Sequence, residues 1–177
     1  MFPIAHIAAP LLALAIYDKY LKVKKDKQIP SVYYIVIAIG GVLPDLLGPH
    51  IKATGRATVS HSLFLPLALL LLYFALKKFK GRYSFPVLLL FIGSGIHFIL
   101  DMITAPMYPF YPLSTYTMDQ FVLFPLYSIT ENGALYLNAS QAMTWYAFGL
   151  IFFIGFIIVE KTPVIEKIYK QFKGIKN

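Results

Sequence analysis

His97 and Asp101 stand four residues apart in GIHFILDMIT, a segment otherwise made of hydrocarbon. At that spacing an imidazole and a carboxylate project from one side of a helix, a turn apart. Ionisable groups are costly to place in so apolar a setting and are therefore functional suspects. Such a pair can grip one cation or share one proton. Three further groups of the same chemistry lie in comparable surroundings: His6 in the first apolar block, Asp45 in GGVLPDLLGPH and His61 in RATVSHS. Imidazole with carboxylate suits zinc and other first-row divalent ions, whereas a hard-cation site would favour oxygen alone. The chain has no cysteine, which excludes thiolate zinc sites and disulfides and leaves His, Asp and Glu as ligands. Catalytic zinc keeps a position for water and lowers its pKa to about 7, and an Asp beside that water can take its proton.

Each residue also has a plainer role. Asp45 after Pro44 suits a turn or cap, and Ser60 or Ser62 suits the cap of the third block. Arg56 can meet lipid phosphate, or hold an anionic substrate through its planar fork. His50 reads as an interfacial hydrogen-bonding group and is left out of the site. For His97 and Asp101 the plain alternative is a buried His–Asp hydrogen bond. Metal ligation ranks ahead of it because three more ligands are expected at the same depth.

That depth follows from the elements that carry the residues. Hydrophobic residues make up 58% of the 177 positions, charged residues only 14%, and mean hydropathy is +0.67. A soluble domain is nearer to half apolar and about a quarter charged. The excess falls in five blocks: Phe2–Tyr17, Val32–Leu47, Ser62–Leu76, Phe85–Thr104 and Ala142–Val159. Crossing about 30 Å of hydrocarbon takes roughly 20 helical residues, so three blocks fall a little short. The runs are continuous, unlike the alternating segments of a membrane β-barrel. Lysines and arginines cluster after the first, third and fifth blocks, whereas 105–141 contains none. Basic loops stay in the cytoplasm. The chain therefore reads as an all-α, polytopic bundle of about five spans in the cell membrane, N-terminus outside and C-terminus inside. Residues 1–160 form one transmembrane domain and 161–177 a basic cytoplasmic tail.

The first block is read as a retained span, because its charge follows the apolar run rather than preceding it as in a signal peptide. The net charge of +8 is explained by anionic headgroups beside the spans, and nucleic acid is not expected as a partner. The external stretch 104–141 is rich in proline and aromatic residues. It suits an interfacial loop on the lipid surface, or a cover over a site. Asn138-Ala139-Ser140 is a formal glycosylation sequon there, set almost against the last span. Gly40-Gly41 and Gly93-Ser94-Gly95 suit close helix approach. On this topology His6, Asp45, His61, His97 and Asp101 all arrive at the outer membrane level, although none was used to assign orientation.

His6, PDLL at 44–47, SHS at 60–62 and HFILDMIT at 97–104 resemble, in that order, the YdjM-like family of inner-membrane proteins. The resemblance covers roughly the first 115 residues, including Tyr111-Pro112-Leu113, and implies a metal-dependent hydrolase. The chain departs from the family's PDxD at Leu47, and from its HRxxTHS at Arg56, Ala57 and Ser60. These departures bear on a second ion and on one charged contact. The ligand order is also similar to that of zinc-dependent phospholipase C. That likeness implies Asp45, His61, His97 and Asp101 as the principal site, with Asp45 doubling as base and His6 serving a neighbouring ion.

The leading reading is thus a membrane hydrolase holding zinc or a similar divalent ion, one or a pair, and cleaving an ester or phosphoester of a lipid or lipid-linked molecule. The competing reading is a non-catalytic subunit of a membrane complex, or a homo-oligomer, whose His/Asp cluster is structural. Proton or metal transport ranks last, since few polar residues continue into the inner half.

Overall fold

Each apolar block of the sequence becomes one helix. Proline marks several starts, where its missing N–H costs nothing: Pro3 opens α1 (Pro3–Ile16), Pro30 precedes α2 (Ser31–Leu47), and Pro66 and Pro86 lie in the first turns of α3 (Phe64–Phe79) and α4 (Ser84–Thr104). α5 runs over Ala139–Lys161. The computed structural model describes residues 3–21, 29–48, 59–79, 81–104, 107–114, 116, 118, 127–129, 135–137 and 139–161. Within the long stretch between α4 and α5, β1 (Tyr127–Ile129) pairs antiparallel with β2 (Leu135–Leu137), a small hairpin added to an otherwise helical architecture. The reading of 104–141 as an interfacial loop did not foresee it.

Among the described residues two helical segments, Gly81–Thr104 and Met143–Lys161, are long and apolar enough to cross a bilayer, while α2 is apolar but shorter. α1 is prolonged by a π-helical turn over Tyr17–Leu21. The outward faces are hydrocarbon: Leu71 on α3 is 70% exposed, and Ile35 on α2 and Ile151 on α5 are each 60% exposed. Apolar faces of this extent need lipid or protein rather than water against them.

The contacts fix relative directions. Tyr33 packs on Phe85, Ile37 on Leu89, and His97 reaches Gly41, so α2 and α4 run parallel. Gly149 meets Ile4 and Gly155 meets Leu12, while Lys19 binds the carbonyl of Val159, so α1 and α5 also run parallel. α1 lies antiparallel to α2, with His6 and Pro10 against Gly41 and Leu14 against Ile37. Close packing at one crossing sets the rest. A Cβ on Gly41 would overlap the carbonyl of His6, and one on Gly93 would come within 2.5 Å of the carbonyl of Ile37. Small residues bring these three backbones together, as small-residue helix packing in membranes does.

The two ends of the bundle differ in character. At one end lie the start of α1, the ends of α2 and α4, and the turn before α3. At the other, Asp18 accepts the backbone N–H of Ile29 and Tyr34 donates to Glu160 at 2.9 Å. Lys19, Lys77, Lys78, Arg82 and Lys161, on helix termini, belong to this second end. The 161–177 tail beyond Lys161 lies outside the described residues.

Candidate metal centre

Four separate segments each deliver a ligand to the first end. His6 sits in the opening turn of α1 and Asp45 in the last turn of α2, after Pro44. His61 closes a 3₁₀ turn, Val59–His61, that leads into α3. Ser62 fastens this turn by donating to the carbonyl of Val59 at 2.7 Å and accepting from the N–H of Phe64 at 3.3 Å, as a cap does. The N–H of Leu63 donates to the carbonyl of Pro109 at 2.9 Å, tying the segment after α4 to the same place. His97 and Asp101 lie one turn apart near the end of α4.

All five side chains converge and are buried, His6 and Asp45 at 5% exposure, His61 at 2%, His97 and Asp101 at 1%. Asp101 stands between two imidazoles, with Oδ1 3.2 Å from His6 Nε2 and Oδ2 3.0 Å from His97 Nε2. Asp45 Oδ1 lies 2.9 Å from His61 Nε2 and 3.7 Å from His97 Nε2, and His61 Nε2 is 3.8 Å from Asp101 Oδ2. The rings of His6 and His97 stack at 4.1 Å, while His61 meets His97 edge-on at 5.4 Å. Two triads, His6–Asp45–His97 and His61–His97–Asp101, each have their ligand atoms within 4.8 Å of one another.

The donor set fits a divalent ion. Zinc bonds of about 2.0–2.2 Å to N and O give a tetrahedron with edges of about 3.3–3.6 Å. The separations above bracket that edge. His97 supplies a sharper test. Its Nδ1 lies 2.7 Å from the carbonyl of Gly41, which can only accept, so Nδ1 carries the proton. In the neutral ring Nε2 is then a bare lone pair aimed at carboxylate oxygen. Acceptor against acceptor holds only with a proton or a cation between them. His61 Nδ1 lies 3.1 Å from Ser60 Oγ, a hydroxyl that can accept its proton or donate to it. A hydrogen bond on the far nitrogen is how ligating histidines are usually oriented. With neutral imidazoles the five residues carry two negative charges, which one divalent ion cancels.

The five ligands expected from sequence are therefore the five brought together. Arg56 and His50 lie outside the described residues. Asp45 is a buried member of the cluster rather than a turn or cap residue, and Ser60 faces His61, leaving the cap to Ser62. Sequence reasoning missed the Gly41 carbonyl, and also Thr104, whose hydroxyl donates to the carbonyl of Asp101 at 2.9 Å. Gly41 was legible only as a packing residue, because a backbone acceptor has no letter of its own.

The family model described as YdjM inner membrane protein matches residues 1–164, and the chain belongs to that family. No curated protein and no solved structure matches it.

Proposed function

We propose that this member of an inner-membrane family is a multi-pass, metal-dependent hydrolase, with its centre at the non-cytosolic interface. Five spans with the N-terminus outside are supported by the alternation of helix directions and by the basic residues at the end remote from the cluster. The observation that carries the hydrolase reading is the convergence of three imidazoles and two carboxylates, from four segments, in two triads that share His97.

His61, His97, Asp101 and Asp45 would hold the ion, and His6 would serve the same ion or a second. Bound zinc supplies a polarised water at neutral pH. Asp45 is assigned the proton of that water on Oδ2, since Oδ1 faces His61. The Gly41 carbonyl accepts from His97 Nδ1 and leaves Nε2 as the ligating nitrogen, and Ser60 does the same for His61 when its hydroxyl accepts from Nδ1. Arg56 is assigned to the substrate's phosphate, and the stretch 104–141 to the interface above the cluster. The substrate is a lipid or lipid-linked ester or phosphoester, because the helices that carry the centre present hydrocarbon on their outward faces.

The alternative, a structural cluster in a non-catalytic subunit, is favoured by one observation: the five residues are almost closed to the outside. Purified chain tested for bound metal by mass spectrometry, and for cleavage of lipid carboxyesters and phosphoesters, separates the two. Stoichiometric metal with hydrolysis that is lost in Asp45→Asn supports the enzyme. Metal without hydrolysis of any such lipid supports the structural role. A folded protein that binds no divalent metal at saturating supply overturns both metal readings.

A further inference from the structure

Beside the cluster, α1 and α2 enclose an apolar groove of about 350 Å³, walled by Ile7 and Leu11 on α1 and by Ile35, Ala38, Ile39 and Val42 on α2. On α2 these positions form a stripe, 35, 38 and 42, whose next member at helical spacing is Asp45. On α1, Ile7 directly follows His6. The groove's end at Val42 thus lies one helical turn short of Asp45 on α2, and its Ile7 wall one residue from His6.

Its length is informative. Seven residues of α2 separate Ile35 from Val42, about 10 Å along a helix, and the further turn to Asp45 brings the path to about 15 Å. That path is half of the roughly 30 Å hydrocarbon layer, the share of one leaflet. The groove is open along its length, and its volume sits at the low end of small-ligand sites. Ile35 and Ile39 are 60% and 44% exposed, so a chain enters sideways from lipid and need not thread through the bundle. At the far end Tyr34, also on the groove wall, is held by Glu160.

We propose that this groove holds one acyl chain of the lipid whose ester or phosphoester bond the His/Asp cluster cleaves. This deepens, and rests on, the hydrolase reading: the substrate is a membrane lipid that keeps its tail in the leaflet while its linkage is delivered to Asp45. Lipid tails are as apolar as the groove, so the groove contributes position more than affinity. Losing that position slows cleavage of lipid substrates only.

Full-length protein is reconstituted in phosphatidylethanolamine/phosphatidylglycerol vesicles with a phospholipid bearing a diazirine in mid-chain. After illumination, adducts are mapped by mass spectrometry. The expected result is enrichment on Ile7, Leu11, Ile39 and Val42 over Leu71 and Phe74, which are more open to lipid on α3. Val42→Trp is expected to abolish the enrichment and to slow cleavage of long-chain lipid roughly tenfold or more. It should leave metal content and cleavage of a short-chain soluble analogue unchanged. Leu11→Trp serves where Val42→Trp does not fold, and Leu71→Trp is the control. Even labelling of α1, α2 and α3, with lipid hydrolysis intact, overturns the groove and spares the hydrolase. Enriched labelling with no hydrolysis of any lipid overturns the hydrolase, and the inference as a substrate site falls with it.

Discussion

Among the residues of the cluster, His97 has the most exacting position. Its Nδ1 is committed to the Gly41 carbonyl and its Nε2 faces two carboxylates, so removing it strips the centre of the ligand common to both triads. His97→Ala and Asp101→Ala are expected to lose bound divalent metal in mass spectrometry of folded, detergent-purified protein. Ser60→Ala should be milder, since it removes only the support of His61 Nδ1. A loss of about tenfold or more in metal affinity, read by competition with a chelator, is expected there. Chelation of the wild type should abolish any hydrolysis and re-addition of zinc restore it. The residues that converge were legible in the chain because ionisable letters are conspicuous in apolar blocks. Their supports were not. A carbonyl has no side-chain signature, and Ser60 resembles a cap until the turn Val59–His61 is seen to present it to the ring beside it.

At the scale of elements, the crossing of α1, α2 and α4 decides whether the ligands meet. Gly41→Ala would drive a methyl into the His6 carbonyl, and Gly93→Ala would press on α2. Overpacking of this kind costs about 1–3 kcal/mol. Both variants are expected to melt earlier in detergent. Gly95→Ala, which would meet nothing within 4 Å, should behave like wild type. The five helices were legible because hydrophobic blocks bounded by proline and charge leave little choice of element. Gly95 was grouped with Gly93 because sequence shows that a residue is small and not which side of the helix it faces. The β1–β2 hairpin had an overlooked signal, Asn132-Gly133 between two short apolar runs, obscured by the prolines before it. Asp45 illustrates the opposite difficulty: Pro-Asp is a frequent turn signal, and only the continuation of α2 through Pro44 to Leu47 turns its carboxylate inward.

For the molecule as a whole, the reading makes the cluster end face away from the cytoplasm. Since the chain has no cysteine, single-cysteine variants report this directly. Ser114→Cys is expected to react with an impermeant maleimide in intact spheroplasts, and Lys78→Cys only after permeabilisation; the reverse result would invert the topology. A separate consequence follows from the parallel contact of the first and last helices. Ala5 is buried against Trp145, and Ile4 lies on Gly149. During biosynthesis the N-terminal segment therefore waits for the C-terminal one before it has its full set of neighbours, and His6 travels with it. A chain stopped after residue 138 is expected to bind metal more weakly than the complete protein, by the same chelator competition, even though every ligand has already been translated. Unchanged affinity in that truncation would mean that α2 alone anchors the N-terminal helix. Weaker affinity would mean that the centre matures only once α5 is in place, which on the hydrolase reading would keep a half-inserted polypeptide from attacking the bilayer around it.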